Sequence, residues 1–368
     1  MNEKRIEVLD SFRFLAISIV ILYHYYARWT IPLYTTNLYP YGDKFSNALT
    51  KSGYLGVHFF FIISGFVIYF SILRCHTFIE FLKKRLIRLF PPLLLCALIT
   101  FILVRLLDPI NQYPEFHSKL IDFLPSLTFT DASLWNKILH RNDISYIDGA
   151  YWSLIVEVKF YLLTGILYFS IKNKEQFVRC WTIMLIVITL LVEMSHPLVS
   201  HHILSANFLV FIQTIFFYNY IVFFSLGIYF YDYFVNSKLR IDYIIPIILL
   251  LLYCYRHIHS IVELIFIVIF IALFLCLLFN NAVARLLDVS ILRRIGMASY
   301  TIYLLHQYLG MVLIKKFGNS FSLLQLAYYF PVLIYLLFII ISEFIYRYYE
   351  LPSKRILSMI FFKKKRNT

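Results

Sequence analysis

Two titratable residues stand at the two ends of one apolar run near the N-terminus. The run is RFLAISIVILYH, residues 13–24, in which Arg13 comes first and His24 last. Charge is costly inside a bilayer, so ionisable side chains within a membrane span are paired, face water or serve a function. An imidazole can act as a general base toward a hydroxyl, and a guanidinium binds phosphate. The two residues lie about three turns apart on nearly the same helix face, so they are predicted to line a path.

Three further polar positions are predicted to lie at the depth of His24. At about 1.5 Å per helical residue, His24 lies roughly 18 Å above the inner end of its span, and Glu157 roughly 9 Å below the outer end of another. Ser64 lies about 13 Å below the outer end of a third span, and His306 lies near the middle of a fourth. A buried polar layer built from four helices marks a site more often than a stabilising device. An imidazole paired with the carboxylate of Glu157 would be a ready general base for a hydroxyl.

The segment FLKKRLIRLFPPL, residues 81–93, concentrates positive charge at the start of another span. Arg85 and Arg88 are three residues apart and share a helix face, and a break is expected at the proline pair 91–92. Together with Arg13, these arginines form a basic pocket at the inner edge of the membrane. Membrane topology and lipid head-group contact are one explanation of this charge. A clamp for a phosphate-bearing ligand from the cytosol is the other.

The elements that must position these residues are transmembrane helices. Of the 368 residues, 61% are hydrophobic and only 15% are charged, and the mean hydropathy is +0.76. This leaves too little charge to cover a soluble surface. The sequence therefore predicts an all-α polytopic membrane protein with about ten transmembrane helices. The predicted spans are 12–32, 55–73, 86–107, 151–171, 178–194, 208–231, 243–259, 260–279, 298–316 and 323–346.

The distribution of basic residues predicts the orientation of these spans. With the N-terminus inside, the predicted inner segments carry 22 lysines and arginines and the outer segments carry ten. This asymmetry predicts that both termini are cytoplasmic. The same clustering explains the net charge of +14 without a nucleic-acid partner. The apolar run after Lys4 and Arg5 lacks a cleavage site of small residues, so we expect a retained signal-anchor.

The chain is expected to form one integral-membrane domain over residues 1–350, followed by a basic cytoplasmic tail over 351–368. The sizeable outer loop, 108–150, is long enough to shape an outward-facing cavity. The cysteines lie within or beside apolar runs and show no paired spacing, so neither a disulfide nor a metal site is predicted. They are Cys75, Cys96, Cys180, Cys254 and Cys276.

Six segments resemble, in order, the motifs of the bacterial membrane acyltransferase type 3 family. They are VLDSFRFLAISIVILYHYY, GVHFFFIISGFVI, FLKKRLIRLFPPL, DGAYWSLIVEVKFYLL, SYTIYLLHQ and YYELPSKR. The first contains Arg13 and His24, and the fourth places Glu157 four residues after Ser153. His58, in the second, stands where relatives often carry an acidic or small polar residue, so its role is left open. Six ordered segments are a specific signal, whereas any one alone is weak.

The resemblance implies an O-acyltransferase of surface glycans in the bacterial inner membrane. It implies acetyl-CoA as cytosolic donor substrate, and a surface polysaccharide or lipid-linked sugar as acceptor, with no bound cofactor. Arg13, Arg85 and Arg88 would hold the CoA phosphates. His24, oriented by Glu157, would deprotonate the acceptor hydroxyl or briefly carry the acetyl group. The residues expected to contact the oxyanion or the acceptor are Ser64, Trp152, Ser153, Tyr161, Tyr303 and His306.

Several of these positions also have a purely structural explanation. Ser64 beside Gly65 is typical of close helix packing, Trp152 fits an aromatic belt, and His306 suits a scaffold as well as a site. Two other functions remain open at this point. A transporter or flippase of a lipid-linked or glycan intermediate would relay protons through the buried histidines, and predicts matched broken helices in two halves. A structural subunit would use the polar layer only to set helix register.

Overall fold

The computed structural model describes residues 6–30, 44–200, 205–279, 286–323 and 328–362. The regular elements of these residues are helices, and eight helical segments among them are long and apolar enough to cross a membrane. The predicted all-α polytopic class is confirmed. The side of the membrane on which each terminus lies stays a prediction. The basic residues at positions 4, 5 and 363–366 fall outside the described residues.

The helices follow the predicted spans because each contains a continuous apolar run of the length that a bilayer requires. A π-helical turn, Tyr346–Glu350, continues the last predicted span into a further helix. Numbered in chain order over the described residues, the α-helices are α1 Val8–Tyr26, α2 Ala48–Lys51, α3 Gly56–Ile72, α4 Phe78–Leu107, α5 Phe123–Thr128, α6 Ala132–Ile138, α7 Trp152–Ser170, α8 Phe177–Ser200, α9 Ala206–Ile215, α10 Tyr218–Asn236, α11 Ile244–His257, α12 Ile261–Leu278, α13 Ser290–Met297, α14 Ser299–Leu305, α15 Tyr308–Leu323, α16 Phe330–Ile345 and α17 Leu351–Phe361.

The sixth and ninth predicted spans are interrupted within the described residues. The sixth is divided between α9 and α10 at Phe217, whose φ of 40° is left-handed. The ninth is divided between α14 and α15, with His306 at the break. By contrast, the segment 243–279 forms two separate helices as predicted, and Ser260 and Glu263 make a capping box at the start of the second. The first of these, α11, has 14 residues, fewer than the roughly 20 that a bilayer needs.

The predicted break at the proline pair 91–92 is wrong. Helix α4 runs without interruption through Pro91 and Pro92, and it begins eight residues earlier than the predicted span. A proline removes one backbone donor, but a membrane helix continues where neighbours supply partners for the freed groups. The prolines free the carbonyl oxygens of Ile87 and Arg88, and the hydroxyl of Tyr300 donates close to them, to the carbonyl oxygen of Leu89 at 3.1 Å. As a result, Arg85 lies inside a long helix rather than before a break.

The chain divides into two compact units, each assembled from separate stretches of sequence. Unit 1 comprises residues 1–57, 83–155 and 282–368, and unit 2 comprises residues 58–82 and 156–281. Glycines allow close backbone packing in both. In unit 1, a Cβ on Gly296 would lie 1.7 Å from the carbonyl oxygen of Asp10, and in unit 2 a Cβ on Gly65 would lie 2.0 Å from that of Phe224.

The predicted outer loop is an ordered part of unit 1. Asp108, at its start, accepts hydrogen bonds from the backbone N–H groups of Gln112 and Tyr113, both at 2.8 Å. Burial alone would raise the pKa of Asp108, but these bonds and the contact with His117 outweigh burial and hold the pKa below its usual value. Helices α5 and α6 lie within the loop. Asp148, near the end of the loop, reaches the candidate site.

Candidate active site

His24 of α1 and His306 form a pair of imidazoles within unit 1. Nε2 of His306 lies 3.2 Å from Nδ1 of His24, and the ring planes are inclined by 77°. Each Nδ1 also faces a backbone carbonyl oxygen, at 3.0 Å to Val20 for His24 and at 2.7 Å to Tyr303 for His306. His306 is fully buried, whereas His24 is half-buried. The sequence placed both histidines at one depth but did not predict this direct contact.

The break between α14 and α15 is stabilised by two side chains that meet it. The hydroxyl of Tyr25 donates to the carbonyl oxygen of His306, at 2.9 Å. The carboxylate of Asp148 accepts the N–H of Tyr308, at 2.8 Å. Backbone groups inside a membrane must find partners within the protein, so these bonds make an interrupted helix tolerable at this depth. The interruption sets where the His306 ring lies.

Asp148 is a buried acid that the sequence analysis did not single out. It is 0% exposed and also accepts the N–H of Ala150, at 2.8 Å. Burial raises the pKa of Asp148 to about 7, although its two backbone N–H donors oppose the shift. An Asp–Gly pair immediately before the span that begins at Trp152 is the signal that could have identified it.

Gln307 is the second residue that sequence reasoning missed. It follows His306 directly, and its side chain is buried. Among the described residues, its Oε1 has no hydrogen-bond partner. A buried acceptor without a partner is costly in an empty site, so Gln307 offers an acceptor to an N–H or O–H group of a ligand.

Ser153 and Tyr303, two predicted oxyanion contacts, are bonded to each other. The Tyr303 hydroxyl lies 2.6 Å from the carbonyl oxygen of Ala150 and 2.7 Å from Ser153 Oγ. A carbonyl only accepts, so Tyr303 donates to Ala150, and Ser153 donates to Tyr303. Both hydroxyl protons are thus used within the protein. Their oxyanion role stays a prediction and requires these bonds to open.

Glu157 of α7 is the centre of a second polar cluster, in unit 2. The hydroxyl of Ser64 donates to its Oε1 at 2.9 Å, and the hydroxyl of Tyr161 donates to the same oxygen. The close packing expected beside Ser64 is present, because Gly65 touches the backbone of α10. The predicted role of Glu157 in orienting His24 links residues of different units and stays a prediction.

Two other residues singled out from the sequence have clear surroundings. Trp152 is the first residue of α7 and is half-buried, and its contact with an acceptor stays a prediction. His58 is buried in unit 2, where its Nε2 lies 2.9 Å from the hydroxyl of Tyr253 and its ring packs edge-on against Phe223. His58 therefore belongs to an aromatic cluster.

Arg13 and Arg88 belong to a cationic cluster of unit 1 that also includes Lys354. The charges of both arginines act on Lys354, which is paired with Glu350. Arg13 itself pairs with Asp10, at 2.6 Å. The two acids balance part of the positive charge, which the sequence analysis did not anticipate.

Glu350 is buried and lies at the end of the π-helical turn. Its second carboxylate oxygen accepts a hydrogen bond from Thr301, at 3.0 Å. Arg85 lies one turn before Arg88 on α4 and is partly buried. The structure thus brings Arg13 and Arg88 of the predicted phosphate clamp together with Lys354 of α17, while the ligand of the clamp stays a prediction.

Comparison with known proteins identifies the family. A family model described as an acyltransferase domain matches residues 6–346. The chain belongs to this acyltransferase family. The resemblance to membrane acyltransferases that rested on six short motifs is therefore confirmed over nearly the whole chain.

A relative supports the same assignment over part of the chain. It is a protein of Shigella phage Sf6 called an O-acetyl transferase, and it is 30% identical over 173 residues. The match covers 46% of this chain and 48% of that protein, so the chain matches about half of the length of this relative. No solved structure matches the chain.

Proposed function

We propose that the protein is an integral-membrane O-acyltransferase that moves an acetyl group from acetyl-CoA to a hydroxyl of a cell-surface polysaccharide. One observation supports this most. The chain belongs to an acyltransferase family, and Nδ1 of the half-buried His24 contacts Nε2 of the buried His306. A histidine so placed can act as a general base. We place the protein in the bacterial inner membrane, with membrane lipid around it.

The donor proposal depends on the cationic cluster. The cluster lies in unit 1 and contains Arg13, Arg88 and Lys354. Arg85 lies on the same helix as Arg88. Guanidinium groups bind phosphates through two parallel hydrogen bonds. Helix α1 is continuous between Arg13 and His24, which corresponds to about 16 Å along its axis. An extended pantetheine arm can roughly span this distance, so phosphates held at Arg13 would leave the acetyl carbonyl near His24.

The transfer that we propose conserves atoms and protons. Nε2 of His24 accepts the proton of the acceptor hydroxyl as its oxygen bonds to the acetyl carbon. The carbon–sulfur bond then breaks, and the imidazolium returns the proton to the thiolate of CoA. The products are an O-acetyl ester and CoA thiol. In the covalent alternative, Nε2 of His24 first attacks the acetyl carbon and CoA leaves as the thiolate. The acceptor oxygen then bonds to the acetyl carbon, the carbon–nitrogen bond to His24 breaks, and the hydroxyl proton passes to the thiolate.

The acceptor proposal rests on the motif resemblance to acyltransferases of surface glycans and on the name of one relative. The related phage protein is called an O-acetyl transferase, and a polysaccharide such as O-antigen or capsule presents hydroxyls at the outer surface. A lipid-linked sugar is the other acceptor of the same chemical class.

The transporter alternative is not favoured by the helix breaks. It expects breaks at equivalent positions of two halves, whereas the breaks described here fall in the sixth and ninth predicted spans. These two positions do not correspond to each other across two halves of five spans.

The proposal is tested by the acetyl content of purified surface glycan from cells that carry the protein or a variant. His24→Ala, with membrane insertion verified, should lower transfer by about 10²- to 10⁴-fold. His259→Ala, an exposed histidine of unit 2, is the matched control and should keep full transfer. Full acetylation by the His24 variant would exclude the mechanism.

The donor site is tested separately with purified protein and acetyl-CoA. Replacing Arg85 and Arg88 by Ala should raise the donor KM, because phosphate contacts act on binding. Arg179→Ala, which removes an exposed arginine from unit 2, should leave it unchanged. An unaltered KM in the double variant would remove both arginines from the donor site.

A further inference from the structure

The contacts of the two histidines determine where their protons lie. Nδ1 of His306 faces the carbonyl oxygen of Tyr303 at 2.7 Å, and a carbonyl oxygen only accepts hydrogen bonds. Nδ1 of His306 therefore carries a proton. A neutral imidazole carries one N–H, which leaves Nε2 of His306 as an acceptor.

The same reasoning fixes the partner ring. Nδ1 of His24 lies 3.2 Å from the acceptor Nε2 of His306 and 3.0 Å from the carbonyl oxygen of Val20. If Nδ1 of His24 carried no proton, its lone pair would face the carbonyl oxygen of Val20 and Nε2 of His306, and neither contact would contain a proton. A proton on Nδ1 of His24, shared between the two acceptors, satisfies both contacts. Nε2 of His24 is then left with its lone pair.

We infer that His306 is a positioning residue, which accepts the Nδ1–H of His24 and so orients this ring with Nε2 as the proton acceptor. The inference rests on the proposed function, because it assigns a partner to the same base. It gives His306 a different role from the direct contact with the oxyanion or the acceptor that was expected from the sequence, and that contact stays a prediction.

The bond gains importance when His24 becomes charged. On accepting the hydroxyl proton, His24 becomes an imidazolium, and its Nδ1–H becomes a charge-assisted donor to His306. Charge-assisted hydrogen bonds are roughly twice as strong as neutral ones. His306 is 0% exposed, so water cannot easily replace it as the acceptor. The contact thus stabilises the charged state through which the proposed transfer passes.

The architecture around His306 is suited to this role. Its Nδ1 is held by Tyr303 and its carbonyl oxygen by the hydroxyl of Tyr25, while Asp148 holds the N–H two residues later. Ring and backbone are therefore both fixed. A positioning residue requires such support, since a small displacement of the base weakens catalysis.

The first test reads the hydrogen bond without any transfer assay. Protein labelled with ¹⁵N histidine should show a His24 ring protonated at Nδ1 and bare at Nε2, with a ¹⁵N–¹⁵N coupling across the N–H···N bond to His306. The His24→Gln variant assigns the signals. A His24 ring protonated at Nε2 alone, or a His306 ring protonated at Nε2, would overturn the inference. This result can be read even if the proposed transfer activity is not found.

The second test compares two replacements of His306. Gln can present an amide oxygen near the position of Nε2 and keeps an acceptor, whereas Leu removes it. We expect His306→Leu to lower kcat by about 10²-fold or more with an unchanged donor KM, and His306→Gln to recover at least about tenfold of the loss. Equal loss in both variants would indicate a structural role only and would contradict the inference, as would an unchanged kcat in the Leu variant.

A matched control separates positioning from packing. His58→Leu removes a buried histidine that is also hydrogen-bonded to a tyrosine, but in unit 2. Its kcat per folded molecule should exceed that of His306→Leu by at least about tenfold. A similar fall in both would assign the effect to general loss of structure and overturn the inference.

Discussion

The two polar clusters, one in each unit, are built in different ways. In unit 1, the ring of His24 meets a second imidazole at a helix break, and both rings face backbone carbonyls. In unit 2, Glu157 accepts two hydroxyl donors on uninterrupted helices. With the protons inferred above, the first arrangement leaves Nε2 of His24 with a lone pair that can accept a proton. In the second arrangement, one carboxylate oxygen of Glu157 already accepts two hydrogen bonds. A base and a fixed negative charge thus have different structural requirements.

This comparison is sharpened most by removing the charge of Glu157 alone. Glu157→Gln keeps an oxygen that can accept from Ser64 and Tyr161. If the charge assists transfer, activity should fall by about 10³-fold, near 4 kcal/mol in the barrier, with an unchanged folded yield. Transfer is measured as acetyl incorporation per folded molecule.

Glu193→Gln is the control for that substitution. Glu193 is an acid of the same unit, paired with Arg256 at 2.6 Å and bonded to Tyr218. It should affect stability and leave transfer per folded molecule unaltered. An equal loss of transfer in both variants would show that the Glu157 cluster is structural.

The packing of unit 2 is tested with Gly65→Ala. The added Cβ would lie 2.0 Å from a backbone oxygen of α10, so α3 and α10 must separate. We expect a loss of about 3 kcal/mol, seen as a lower unfolding temperature of the detergent-solubilised protein.

Ser64→Ala, one residue earlier, is the matched variant. It removes the hydroxyl that donates to Glu157 without adding atoms, and should cost about 1 kcal/mol. Equal destabilisation by Gly65→Ala and Ser64→Ala would show that the close contact between α3 and α10 does not position the Glu157 cluster.

A smaller effect than that of Gly65→Ala is expected at Asp148, which supports the helix break of unit 1. Asp148→Asn keeps one acceptor oxygen for the N–H groups of Ala150 and Tyr308, so we expect a loss of about 1–2 kcal/mol near pH 5. Burial raises the pKa of Asp148 to about 7, above its usual value of about 4. The folded state therefore binds more protons between these values, and stability should fall as the pH rises from about 4 to 7.

The Asn variant lacks this ionisation, so its stability should change less over the same range. Melting temperatures measured between pH 4.5 and 8 compare the two slopes. Equal slopes would remove Asp148 as the source of the pH dependence.

Sequence reasoning placed His24 and His306 in one layer of the membrane but did not predict that their rings are in contact. Depth follows from counting residues along a helix of constant rise, and His24 and His306 do meet. Which side chains face each other depends on helix rotation and on breaks, and the break at His306 is stabilised by Tyr25 and Asp148 from distant parts of the chain. Proline chemistry alone also misplaced a break in α4, because a membrane helix can continue through prolines.

By itself, the sequence determined that this is an all-α membrane protein, roughly where its spans lie, and which motifs place it among acyltransferases. These follow from composition, apolar run length and residue order, which are local properties. Only the tertiary structure decided that His24 pairs with His306, that Glu157 is bound by Ser64 and Tyr161, and that Lys354 joins the arginines. The contact between His24 and His306 joins residues 282 positions apart, and no local pattern encodes how two helices rotate to bring such side chains together.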